Sequence, residues 1–230
     1  MVQLYHHPFC PQSRFIRICM GEYGIEPHLI EERVHERRTE FLMLNPAGQT
    51  PVYNDEAGGV IAGAGVIAEY LDEVYGLALG EHRLLPDNPK ARVEVRRLIE
   101  WFNVKFFNEV SQWIVQEKIY KRHLTGEQGG GAPNMDLVRA ARANIRYHMR
   151  YIGWLMSQRN WLAGDRLSYA DLVAAAHLSA IDYLGDVPWG EDDVAKTWYA
   201  RVKSRPSFRP LLADRLNGLA PADHYTDLDF

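Results

Sequence analysis

The apolar residues of this chain change period near residue 79, and that change limits the folds open to it. Before it, short alternating runs ("VQLYHH", "HLIEERV", "TPVYND", "GVIAG") are separated by stretches whose apolar residues recur every three or four positions. Alternation puts successive side chains on opposite faces of a strand, whereas spacings of three and four line one face of a helix. "SRFIRICMGEYGI" follows the first strand with Phe15, Ile16, Cys19 and Met20 at helical spacing, and "AGVIAEYLDEVYG" closes the segment as a helix ending near Gly76. The order βαβαββα predicts a small α/β domain over residues 1–78.

Strand-like alternation then disappears. Gly, Pro and Asn cluster in "GLALGEHRLLPDNPK", which places a linker over residues 79–88. Val95, Leu98, Phe102, Phe106, Val110 and Trp113 predict one long amphipathic helix over 89–123. The glycine-rich "TGEQGGGAPN" interrupts it, and a second long helix is expected from about 134 to 157. In "SYADLVAAAHLSAIDYLG", Ser168 and Asp171 have the spacing of a reciprocal helix cap, and Ala174, Ala175 and Ala176 allow close approach, so this is the expected central helix. His177 within it reads as a core or partly exposed histidine. Residues 89–219 are therefore an all-helical domain, followed by an acidic and aromatic tail over 220–230 that is too short to build an element.

The net charge of −4 gives no general attraction to nucleic acid or to an anionic membrane. No apolar run approaches the roughly 20 residues that cross a bilayer. The two cysteines, Cys10 and Cys19, form no C-x-x-C pair, and the nine histidines show no metal-ligand spacing. A cytoplasmic protein without metal or resident cofactor is expected.

"NPAGQTP" at 45–51 resembles the Asn-Pro-Gly-x-x-Pro signature of glutathione transferases, and "GDRLSYAD" at 164–171 resembles the capping motif of their helical domain. The resemblance implies a thioredoxin-like N-terminal domain plus an all-α C-terminal domain, with a cis bond at Thr50–Pro51 in a turn that pairs with the cysteinyl part of glutathione. It also implies a catalytic group after the first strand, where "FCPQSRF" offers Cys10 and Ser13. A helix N-terminus favours a thiolate, which suits Cys10 to such work.

The family holds the glutamyl end of glutathione with an acidic residue and a serine at the start of the last helix of the first domain. Gly63 and Ala64 stand at those positions. A lost hydrogen bond to a charged group is worth on the order of 1.5–3 kcal/mol, or roughly ten- to a hundredfold in affinity. Glutathione is then expected only under the alternative of a cysteine-type transferase or thiol transferase using Cys10, for which a nearby Glu69 would have to supply the carboxylate. The loop "HHPFCPQSRF", Gly63–Ala64 and the tail "PADHYTDLDF" resemble instead the transferase-like cell-division regulators of alphaproteobacteria. That resemblance implies a non-catalytic homodimer that binds polymers of the tubulin-like FtsZ at the division site and influences their shape or bundling. Asp227 and Phe230 in the tail, and Lys118 and Arg122 beside the glycine-rich loop, are the candidate partner contacts; the dipole of the helix ending there explains the basic pair equally well.

Overall fold

The computed structural model describes residues 1–228. Its N-terminal part runs β1 (Gln3–His6), α1 (Pro11–Glu22), β2 (His28–Glu31), α2 (Thr39–Leu44), β3 (Val52–Asp55), β4 (Gly59–Ala62) and α3 (Ala64–Tyr75), the order expected from the sequence. The sheet order is β2-β1-β3-β4, with β1 parallel to β2 and β3 antiparallel to both β1 and β4. Leu4 sets the register, opposite Leu29 on one side and Tyr53 on the other. A parallel pair needs a crossover connection, which α1 provides between β1 and β2.

The helical part comprises α4 (Pro89–Glu100), a π-helical segment (Trp101–Ser111), α5 (Gln112–Lys118), α6 (Met135–Met156), α7 (Tyr169–Tyr183), α8 (Asp193–Lys203) and the short α9 (Arg209–Leu212). Its helices start where the sequence supplies a short polar side chain to accept the free first-turn amides. Asn88 accepts from Ala91 N at 3.1 Å, Asn134 from Asp136 N at 3.0 Å, and Asp192 from Ala195 N at 2.9 Å. The long helix expected over 89–123 is continuous only as far as Lys118, and its middle third is wound more widely than an α-helix. Gln112 N–H reaches back five residues to Phe107 O. That winding shifts every later residue around the axis relative to a 3.6-residue reading.

Every residue of α7 is buried, as its run of small and apolar side chains anticipated. His177 is fully enclosed, hydrogen-bonded to Ser111 Oγ at 2.8 Å and Asn103 Oδ1 at 3.1 Å. One apolar cluster runs from Leu4 and Phe15, through Leu71 and Leu98, to Leu172 and Trp198. The sheet and the helices therefore share a core. The tail does not fray into solvent: Ala222 N donates to Tyr183 O at 2.9 Å, and the Tyr225 ring is fully buried 5.1 Å from that of Tyr183.

The reciprocal cap does more than start α7. Asp171 is fully buried and accepts from Ser168 N at 3.0 Å, Leu162 N at 2.9 Å and Trp198 Nε1 at 2.9 Å, joining the preceding loop and α8 to the central helix. With the Ser168 hydroxyl, which also donates to Asp171 at 3.2 Å, Asp171→Ala leaves four buried donors without this acceptor; the three N–H groups among them cost about 1–3 kcal/mol each. Urea denaturation should show Asp171→Ala destabilised by at least about 3 kcal/mol and Asp171→Asn, which retains one acceptor oxygen, by less.

Candidate functional site

A cavity of about 470 Å³ opens where the α1 N-terminus, the β3 entry turn, the α3 N-terminus and the π-helical and α5 face meet. Cys10 is the N-cap residue of α1, and Pro11 fills the first helical position, where its missing N–H costs nothing. The thiol is 7% exposed and faces the cavity. Its Sγ lies 3.4 Å from Gln12 Oε1 and 3.8 Å from Thr50 O. The Thr50–Pro51 bond is cis. Gly63 N donates to Pro51 O at 3.1 Å, so the turn and the start of α3 are joined directly.

Gly63 has φ of +92°, a conformation that strains any residue with a Cβ. Ala64 begins α3, and no side chain caps that helix. The structure thus brings together Cys10, Thr50, Gly63 and Ala64 around one cavity, with Pro51 behind Thr50. Glu69 does not turn toward it; both of its carboxylate oxygens are 2.9 Å from the Arg96 guanidinium. Ser13 is fully buried, away from the cavity lining, and accepts from His7 N at 3.4 Å.

Lining residues that escaped sequence reasoning include Phe107, Gln112, Val115, Gln116 and Tyr120. One wide turn carries Phe107 to Gln112, and α-helical steps of four carry Gln112 to Gln116 and Tyr120. Burial, reinforced by the neighbouring Cys10, holds the Tyr120 hydroxyl well above its usual range, so it stays protonated. No charged side chain lines the cavity among the described residues.

The expected partner contacts lie elsewhere. Lys118 Nζ is 2.6 Å from the buried Asp186, which also binds Arg142, and Arg122 donates to Gly218 O at 2.9 Å. Both cations are thus engaged within the chain. Asp227 is exposed, its N–H bonded to His224 O at 3.1 Å, and Phe230 lies outside the described residues.

Comparison with known proteins bears on this geometry. A family profile described as "Glutathione S-transferase, N-terminal domain" matches residues 4–82. FtsZ-localized protein A of Caulobacter vibrioides is 46% identical over 99% of this chain and 97% of that protein. The chain belongs to the glutathione S-transferase family. Among solved structures, a glutathione S-transferase from Sinorhizobium meliloti superposes with a TM-score of 0.97 at 52% identity, covering 100% of both chains. FzlA from C. crescentus superposes with a TM-score of 0.92 at 45% identity, covering 100% of this chain and 99% of that one. Relatives of nearly equal likeness thus carry an enzyme's name and a division protein's name.

Against the family's usual ligand, the lining fits poorly. Glutathione carries an ammonium and two carboxylates, and a charge taken from water needs a partner. The ammonium finds no carboxylate among the side chains that line the cavity, at Gly63, Ala64 or elsewhere.

Two buried histidines, His6 and His7, precede the Cys10 loop, and His7 holds it. His7 Nδ1 accepts from Phe9 N at 3.2 Å, and its ring meets Tyr120 edge-on at 4.9 Å. Burial, with the charges of Arg17 and Arg14, pushes His6 down to about 3; burial, with neighbouring His6, does the same to His7. His177 is lowered to about 3 by burial alone. All three stay neutral in the fold but take up protons near pH 6.5 once unfolded. Unfolding therefore consumes protons below that pH, and stability present above it is lost as pH falls toward the folded values. The slope is up to about 1.4 kcal/mol per pH unit for each histidine. Urea midpoints should fall steeply from about pH 6.5 to about pH 4.5, and less steeply in His177→Gln; a flat profile contradicts this account.

Proposed function

We propose that this chain is a non-catalytic member of the family that binds FtsZ filaments as a homodimer and regulates their shape or bundling at the division site. The observation that carries the reading is the 46% identity, along nearly the whole of both chains, to a protein named for its localisation with FtsZ. Loss of the glutamyl-holding side chains at Gly63 and Ala64 supports a binding role over a transferase one. Fold alone does not decide between them.

A dimer also has a physical basis. On the π-helical segment and α6, an aromatic face stays open: the rings of Trp101 and Tyr151 lie 4.5 Å apart, Tyr151 stacks on Trp154 at 6.0 Å, and Tyr147 and Trp154 are more than half exposed. Apolar groups concentrated in this way are typical of surfaces that meet another protein. A homodimer presents each filament contact twice, and effective concentration then lets two weak contacts crosslink a polymer. No helix among the described residues is long and apolar enough to cross a membrane.

Cys10 beside the cis-proline turn favours a second reading, a thiol transferase. Co-sedimentation with FtsZ polymerised by GTP separates the two. Truncation at Leu219 is unsuitable for this purpose, because it removes the buried Tyr225 and would weaken the fold. Point variants avoid that. The intact chain and Cys10→Ala should pellet with polymer and not without GTP, while Asp227→Lys should pellet less. Failure of the intact chain to pellet at micromolar concentration rejects the filament reading. Glutathione-dependent disulfide exchange abolished by Cys10→Ala would establish the transferase instead.

A further inference from the structure

The Cys10 cavity has an unusual chemistry for its size. Its polar lining includes the carboxamides of Gln12, Asn45, Gln49, Gln112 and Gln116, and its apolar wall includes Phe107 and Val115. At about 470 Å³ it falls within the roughly 300–1,000 Å³ of ordinary ligand sites. Asn45 is committed to its own turn, donating to Gln49 O at 2.8 Å and accepting from Ala47 N at 3.2 Å. No hydrogen bond among the described residues engages the side chains of Gln49, Gln112 or Gln116. Gln112 and Gln116 lie one helical turn apart on α5 and both line the cavity. A primary carboxamide offers two donors and an acceptor, so this pair presents both hydrogen-bonding senses side by side.

We propose that the Cys10 cavity binds a molecule that carries amide-type donors and acceptors on an apolar body and no cationic group. The N–H groups of such a ligand can donate to Gln Oε1 atoms and to Thr50 O. Its carbonyl groups can accept from Gln Nε2 and from the uncapped first-turn amides of α3. Its apolar part fits against Phe107 and Val115. A zwitterion in the same place leaves its ammonium without a carboxylate, and that desolvation is unrepaid. The proposal does not depend on filament binding, and its test reads the cavity alone.

The test uses three probes on one phenylalanine body: N-acetyl-phenylalaninamide (neutral, two amides), N-acetyl-phenylalanine (anionic, one amide) and phenylalaninamide (cationic, one amide), so that the two charged probes differ in the sign of charge at equal amide number. Each is titrated into the full-length ¹⁵N-labelled chain at neutral pH. The neutral probe should give saturable shifts at the backbone amides of Gly63 and Ala64 and at the side-chain amides of Gln112 and Gln116. The cationic probe should bind at least about tenfold more weakly than either of the others. In Gln112→Lys the anionic probe should gain preference over the neutral one relative to the natural chain; circular dichroism would show that the variant still folds. Equal or tighter binding of the cationic probe to the natural chain overturns the proposal. So does absence of saturable shifts at these residues with the neutral probe, or an unchanged preference in folded Gln112→Lys.

Discussion

The fully buried guanidinium of Arg14 is the point on which the two halves of the molecule turn. A charge so placed is tolerable only when its hydrogen-bonding groups are matched. Arg14 Nε donates to Pro8 O at 2.6 Å, Nη1 to Ser179 Oγ at 2.9 Å and Tyr225 OH at 3.1 Å, and Nη2 to Asp214 Oδ2 at 3.3 Å. Its cation lies 4.5 Å from the centre of the Phe9 ring. One side chain therefore ties the loop before Cys10 to the central helix, to the segment after α9 and to the tail. Arg17 shares the same carboxylate at 2.7 Å, so Asp214 balances two cations. The position of the Cys10 loop is thus set by the helical domain as much as by the sheet.

That arrangement explains what could be read from the sequence. The succession of strands and helices, the helix starts and the Ser168–Asp171 cap rest on residues a few positions apart, where periodicity and capping chemistry act. Gly63 and Ala64 were legible because a short motif fixes where α3 begins. The tail was not. Tyr225 belongs to the core because Arg14 and Tyr183 are there to receive it, and acidic neighbours along the chain conceal this. Lys118 likewise looked free beside a glycine-rich loop, while its partner Asp186 lies at the far end of α7, 68 positions on.

The cavity wall from Phe107 to Tyr120 was hidden for a different reason. The apolar series that marks this helix in the sequence, from Val95 to Val110, faces the core as expected, and it leaves open which of the remaining side chains border the cavity, a choice that the wide winding of the π-helical segment makes. The polar contacts there show why the wide winding persists: Ser111 and Asn103 both meet the buried His177 of α7. Regular winding through the same stretch would move at least one of them away. A buried histidine in the core and a row of glutamines at the site are thus two consequences of one local geometry.

These constraints bear on how a transferase scaffold can change its occupation. The groups that hold the fold, Arg14, Asp171 and the asparagine and aspartate caps, lie behind the cavity or away from it. The residues that set the cavity's charge, Gly63, Ala64, Gln112 and Gln116, belong to no internal side-chain hydrogen bond. Charge at the site can therefore be lost without disturbing the core, and the shape of the cavity survives the loss. A chain under such freedom keeps the outline of the family's cavity while the charge of its lining changes.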